Sequence, residues 1–371
     1  MRFFILNKVI LSTRPDPLDI LKSTARVLQL ARVVRLDTAR LERVADTLAH
    51  TRVEPPAWNF DLHFFDGSAR TVNYLFLLDA LNFCFWESPR WSVDYREKKL
   101  DGYWALAAAL TRAVAENPRV VDAEFLAQIT PNELAHILRG RGEIPLFAER
   151  WRNVRELGKV LRDHWNGDAA RMVSAANGDA ARLARMVAEN FSSFNDVAVY
   201  KLQTSLREAK RRSNLLDNFG IASLPEFTLS ESEGVARNDI LEVHFFKRAQ
   251  ILVADLWGAF GGKQWGAFEN IHALTAFADY KLPQILRAWG ILKYAPTLAR
   301  QVDAQKEIAA GSAAEIEIRA ATLWAVEFLR DALAARGRAL MSVQLDWILW
   351  QASQEKFANL KPYHRVRTIY Y

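Results

Sequence analysis

At 371 residues, half of them apolar and a quarter charged, the chain has material for a large buried core and falls outside the disordered and fibrous classes. Glycine (16) and proline (12) are sparse while alanine, leucine and arginine abound, which favours helices over a many-turned β design, as one large domain or two intimate lobes. The lone Cys84 excludes an intrachain disulfide and a multi-cysteine metal site, and the net charge of +6 suits an anionic partner, a phosphorylated metabolite or nucleic acid, without locating a site.

In chain order, the opening MRFFILNKVIL has its apolar run broken by Asn7 and Lys8, with no small-residue cleavage site behind it. It reads as an ordinary N-terminal extension over residues 1–18, not as a signal peptide. No run is long and clean enough to span a bilayer, so the cytoplasm is the expected compartment. In RLDTARLERVADTLAH, Asp37 can cap a helix whose Leu41, Val44, Ala45 and Leu48 share one face. VNYLFLLDALNFCFW, residues 72–86, is apolar nearly all round and predicts a central helix in which Asp79 and Asn82 need polar partners. TPNELAHILRGRG supplies Thr130 as N-cap, Pro131 at the first helical position, Glu133 to close a capping box and Gly140 as a stop. Residues 197–243 mix charge with Ser, Gly and Pro and read as a loop-rich insertion. SAAEIEIRAATLWAVEFLRDALAARG repeats the capping logic with Ser312, Glu315 and Gly337.

Motif-borne chemistries are missing. The sequence holds no GxxxxGK[ST], GxGxxG, GxSxG or HExxH, and its seven histidines lack ligand spacing, so neither a metal nor a cofactor is expected. What stands out is carboxylates among aromatics in three segments, VHFFKRAQILVADLW, LTAFADYKLPQIL and VQLDWILW. In the first, Arg248, Ile251, Leu252 and Asp255 share a helical face, which allows an ion pair. Each acid has a plain alternative reading as a solvated or ion-paired structural residue.

These blocks, with ALNFCFW, EIEIRAATLWAVE and the ending HRVRTIYY, resemble the queuosine salvage family, the queuosine 5′-phosphate N-glycosylases, in the same order from about residue 19 to residue 371. The resemblance implies one all-helical domain related to the helix-hairpin-helix DNA glycosylases. It also implies release of queuine from queuosine 5′-monophosphate for reuse in tRNA modification, the substrate being a free nucleotide and not tRNA. Breaking an N-glycosidic bond builds positive charge on the ribose, which a fixed carboxylate can stabilise or trap. Asp346 matches the family's catalytic aspartate. Asp279 is placed to accept N–H donors of the guanine-like edge, with Phe277 as the stacking surface. His63 matches a histidine at the ligand, and Trp347 stands where the family has an aromatic.

Lys247 and Arg248 are the candidate phosphate ligands, Lys247 preferred, against an ion pair of Arg248 with Asp255. Tyr280 and Arg319 offer a hydroxyl and a buried cation that helix packing also explains. Two departures stand out: the stretch from residue 191 to Lys247 is longer than the family's linking segment, and Gln351 stands where relatives can carry an acid that touches the ligand. Two rivals remain, a nucleic-acid base glycosylase and a non-catalytic helical binding protein. The first lacks its glycine-bearing phosphate hairpin here.

Overall fold

The computed structural model describes residues 14–51, 53–201, 240–355 and 360–371. Its helices are α1 (Ile20–Leu30), α2 (Thr38–Thr51), α3 (Ala69–Ala80), α4 (Gly102–Glu116), α5 (Ala123–Gln128), α6 (Pro131–Ile137), α7 (Phe147–Trp165), α8 (Ala169–Ala175), α9 (Ala180–Asn190), α10 (Lys247–Ala259), α11 (Lys281–Ala288), α12 (Pro296–Asp303), α13 (Ala313–Ala334) and α14 (Ser342–Gln354). Short strands form three antiparallel pairs among the described residues: β1 (Val34–Leu36) with β6 (Leu292–Tyr294), β2 (Ser92–Tyr95) with β3 (Lys98–Asp101), and β4 (Val197–Lys201) with β5 (Ile240–His244).

The fold is thus predominantly helical, and the all-helical expectation is corrected by these ladders. Strands of three to five residues are too short to show a period-2 pattern against a helical background. The stretch read as a loop-rich insertion starts and finishes as a ladder, Val197 opposite His244 and Lys201 opposite Ile240. Residues 202–239 of that stretch, and 1–13 of the N-terminal extension, lie outside the described residues.

Capping chemistry places several helices. Asp37 Oδ1 accepts the Arg40 N–H at 2.9 Å and opens α2, which buries Leu41, Val44 and Ala45. Thr130 and Glu133 close a full capping box on α6. On α13 only half the box forms: Ser312 Oγ accepts the Glu315 N–H at 3.4 Å, while the Glu315 carboxylate turns to the Gly311 N–H and the Tyr371 hydroxyl. Gly337, at φ +79°, ends that helix as expected. Gly140 lacks the positive φ of a left-handed helix stop and does not serve as one for α6. A Cβ there would lie 2.4 Å from the Ser92 carbonyl oxygen, so this glycine allows a close approach instead.

The core is continuous from Leu18 to Tyr371 and is organised around α13, buried on nearly every side from Glu315 to Leu329. That helix packs on α1, α2, α11 and α14, and α10 packs on α3 and α9. α3 stops at Ala80 although the apolar run continues to Trp86. Beyond it the chain is extended, and its freed carbonyls at Leu81, Phe83 and Cys84 accept from the fully buried Arg150 guanidinium, which also lies over the Phe83 and Phe85 rings. Asp79 and Asn82 find one another, Asn82 Nδ2 donating to Asp79 Oδ1 at 3.2 Å.

Gly158, in the middle of α7, tests how tightly this core is fitted. A Cβ there would stand 2.1 Å from the Ala127 nitrogen and 2.7 Å from the Ala123 carbonyl oxygen, both backbone atoms of α5. In an exposed helix Gly→Ala is worth about 1 kcal/mol of added stability. Gly158→Ala is expected to reverse that sign and destabilise by on the order of 3 kcal/mol, because two helices must move apart. Chemical denaturation of the purified variant checks it, and a stabilised protein would contradict the packing described.

Candidate active site

A cleft opens between the loop around residues 56–63, the extended segment 82–90, the start of α4, the first half of α10, residues 277–282 and α14. It brings together eight of the residues singled out in the sequence: Asp346, His63, Lys247, Phe277, Asp279, Tyr280, Trp347 and Gln351. Arg248 and Arg319 do not reach it. The Arg248 guanidinium is buried behind the wall, donating to the carbonyls of Asp79, Ala80 and Ser193 instead of pairing with Asp255. Arg319 makes a bidentate bond to Asp196 at 2.9 and 2.5 Å and donates to the Ala278 carbonyl at 3.1 Å.

The floor is acidic. Asp346, 3% exposed on α14, accepts the Phe277 N–H on Oδ1 at 2.7 Å. Burial holds its carboxyl well above the ordinary carboxylate range, against the pull of that N–H and of Lys247. Asp279 caps α11: its Oδ1 accepts from Lys281 N at 2.7 Å and Leu282 N at 2.8 Å, and Pro283, next in the first turn, has no N–H to satisfy. Both lone pairs of Oδ1 are thereby used, which leaves Oδ2 as the oxygen open to a further donor. Lys247, the first residue of α10, has its ammonium pKa lowered by burial, an effect opposed chiefly by Asp279 and also by Asp79 and Asp346.

A hydrogen-bonded chain crosses from the loop to α10. His63 Nδ1 lies 2.7 Å from the Asn59 carbonyl oxygen, which can only accept, so Nδ1 bears the proton and Nε2 accepts from the Tyr103 hydroxyl at 2.9 Å. That uses the one proton of Tyr103, and Asp255 Oδ2, 3.5 Å from the same hydroxyl, must then be the donor of any bond between them. Burial first, and then the neighbouring Asp79, push Asp255 well above its ordinary value, in keeping with a protonated acid. Asp79 itself is pushed up to about 7 by burial. Aromatic walls complete the site. Trp58 lies 4.4 Å from the His63 ring, Trp104 and Trp350 meet edge to face, Trp347 stacks on Trp257, and the Tyr280 ring tilts against Tyr363. Gln351 is exposed at the lip.

The sequence profile of the queuosine salvage protein family matches residues 62–214 and 231–371. The chain belongs to that family. A Sphaerobacter thermophilus protein named queuosine 5′-phosphate N-glycosylase/hydrolase is 44% identical over 356 residues, covering 96% of this chain and 98% of the relative. Proteins of the same name from Dictyostelium discoideum and Bos taurus are 31% and 32% identical, over 96% and 94% of the chain and 100% and 98% of their own lengths.

Sequence reading of this queuosine salvage chain missed Tyr103, Arg90, Lys281 and Tyr363 in the cleft, and the ion pair of Arg248 with Asp255 that it weighed as an alternative does not form. Tyr103 follows an Asp–Gly pair that signals only a turn. Arg14, inside the stretch read as an extension, was also missed. It bonds Glu327, Ser342 Oγ at 3.0 Å and the carbonyls of His272 and Leu274 at 2.6 and 2.5 Å, and so ties the start of α14 to the segment leading to Phe277.

The buried His63 makes stability depend on pH. Burial lowers its pKa from the ordinary 6.5 to about 4, so the unfolded chain binds the proton more tightly. Its contribution is fully present above pH 6.5 and is lost as pH falls to about 4, by an upper limit of about 3 kcal/mol. His63→Gln removes the titration while keeping a polar group for Tyr103. Melting temperatures between pH 4 and 7 are expected to slope less in the variant than in the natural protein, and parallel slopes would show that His63 is not buried neutral.

Proposed function

We propose that the chain hydrolyses the N-glycosidic bond of queuosine 5′-monophosphate, giving queuine and ribose 5-phosphate, and so supplies queuine for tRNA modification. The relatives' name, queuosine 5′-phosphate N-glycosylase/hydrolase, describes that chemistry for them. The observation that carries the reading is a carboxylate, Asp346, held by the Phe277 N–H at the floor of an aromatic-walled cleft beside the second carboxylate Asp279. We include in the proposal a fold kinship with helix-hairpin-helix glycosylases, a catalytic domain over residues 19–371 with 1–18 as its extension, a free nucleotide and not nucleic acid as partner, and the cytoplasm as its compartment.

In this reading the base lies between the aromatic walls with its N–H donors toward Asp279 Oδ2 and Phe277 beneath it. The C1′–N bond breaks, its electron pair leaves with the base, and positive charge develops on C1′ and the ring oxygen. The ionised Asp346 stabilises that charge where water is excluded. Water then adds its oxygen to C1′, and the proton it gives up restores the neutral base. The 7-deaza base has no N7 to protonate, so its departing charge relies on donors around it. Lys247 is the donor at the floor for that charge, since the Asp255 proton is directed at Tyr103.

Asp346→Ala is expected to fold normally and lose at least about a hundredfold in turnover, as with other electrostatic stabilisers. Queuine release followed by chromatography checks this, and near-natural turnover in a folded variant removes Asp346 from the chemistry. Because the active form is ionised and burial raises its pKa, the acid limb of kcat/KM should lie above the ordinary carboxylate range. A limb at about pH 4 would contradict that.

Asp279→Asn separates capping from base reading. The amide oxygen can keep both backbone bonds while its NH2 confronts the donors of the base. Melting temperature should therefore hold while queuine affinity falls by about 1–3 kcal/mol. The reverse pattern would make Asp279 a structural cap only.

A further inference from the structure

The segment from Leu274 to Ala278, which presents the Phe277 N–H to Asp346, has no regular secondary structure. Side chains from elsewhere in the fold hold it instead. Arg14 donates to the Leu274 carbonyl, Gln250 of α10 accepts the Thr275 N–H at 2.9 Å, and Arg319 of α13 donates to the Ala278 carbonyl. Arg14, of these three, also bonds α14. Its Nη1 donates to Ser342 Oγ at 3.0 Å and to Glu327, while its Nη2 donates to the His272 and Leu274 carbonyls at 2.6 and 2.5 Å. Ser342 is fully buried and stands four residues before Asp346, one turn away on the same helix. One planar guanidinium thus spans both sides of the Asp346–Phe277 bond.

Local sequence delivers Arg14 to that place. In the run Arg-Pro-Asp-Pro, Pro15 keeps Arg14 out of the helical region, and the Asp16 carboxylate accepts the N–H groups of Ile20 at 3.0 Å and Lys22 at 2.8 Å in the first turn of α1. Neutralising Glu327 does not require Arg14, because Arg330 lies 2.7 Å from the same carboxylate and Ser342 Oγ donates to it at 2.6 Å. What Arg14 adds is the reach to residues 272–274. The charged groups facing Asp346 are Lys247 and Asp255 of α10 and Asp279 before α11, all of which stay in place when Arg14 is replaced.

We propose that Arg14 is a positioning residue for the glycosidic cleavage: by joining Ser342 to the carbonyls of His272 and Leu274, it keeps the Asp346 carboxylate on the Phe277 N–H and aimed into the cleft. That N–H bond favours the charged form of the acid, so the strap serves both its orientation and its ionisation. The chain just before α1 thereby works for a reaction carried out by α14. The inference rests on the hydrolase reading for the chemistry, and on the hydrogen bonds alone for the strap.

The test compares Arg14→Lys, Arg14→Gln and the control Arg330→Gln in the full chain. Lysine keeps a charge beside Glu327 but cannot span both sides, whereas Arg330→Gln removes a cation from the same carboxylate without touching residues 272–274. Both Arg14 variants should lower kcat for queuosine 5′-monophosphate by about tenfold to a hundredfold, the range for a reacting group displaced by about 1 Å, with KM within about threefold. The acid limb of kcat/KM should rise by roughly one pH unit, because Asp346 loses a hydrogen bond to its charged form. Arg330→Gln should lower the melting temperature and leave kcat and the limb in place. An unchanged kcat and limb in Arg14→Lys, an equal loss in Arg330→Gln, or failure of both Arg14 variants to fold overturns the proposal. Should the natural protein release no queuine, the hydrolase reading falls and hydrogen exchange decides the strap. A Phe277 amide that exchanges faster in Arg14→Lys than in the natural protein and in Arg330→Gln upholds it, and equal exchange overturns it.

Discussion

The buried pair Arg319–Asp196 is the contact on which the site depends. Both side chains are 3% exposed, and their two parallel bonds join the central helix α13 to the turn before β4. Asp196 also organises the start of α10: its carbonyl accepts the N–H groups of Phe245 and Phe246, and its Oδ2 that of Lys247 at 3.3 Å. The remaining Arg319 donor reaches the Ala278 carbonyl, one residue before Asp279. A single guanidinium therefore fixes both Lys247 and Asp279 relative to α13. Removing either partner would strand a charge in the core, which costs far more than an exposed pair is worth.

Arg150 and Arg248 extend the same device. Extended segments crossing a helical interior leave carbonyls that no helix or sheet ladder satisfies, and each unpaired buried group is costly. Arginine, with five donors in a plane, meets several at once. Arg150 serves residues 81–84 and Pro145, and Arg248 serves Asp79, Ala80 and Ser193, with Phe83 lying against both cations. Their positive charge is spent on backbone dipoles, which explains how fully buried arginines stand without carboxylates of their own. It also gives the cleft a rigid rear wall in a stretch with no regular secondary structure.

In front of that wall the charges are graded. Among the described residues that line the cleft, Lys247 stands with Asp255, Asp279 and Asp346, and Arg90 and Lys281 stand with Asp101.

Local chemistry was legible from the sequence wherever it acts within a few residues. The Asp37 cap, the Thr130–Glu133 box and the amphipathic face of α2 are i, i+3 and i, i+4 relations written along the chain. The blocks around Asp279 and Asp346 likewise pointed to one site, because their acids among aromatics and their order carry the family resemblance. The partners of those acids were not legible. Asp279 is close to Lys247, Asp346 bonds the N–H of a residue 69 positions earlier, and Arg319 skips the nearby acids for Asp196, 123 positions away. Spacing allowed an Arg248–Asp255 pair, yet the carbonyls of Asp79 and Ala80 at the end of α3, with that of Ser193, took the arginine. The sequence alone determined where capped and amphipathic helices start and which acids are unusual, since both depend on neighbours along the chain. Only the tertiary structure decided which charge faces which and which oxygen is left for a ligand, since a buried group settles on whichever distant partner meets its desolvation cost.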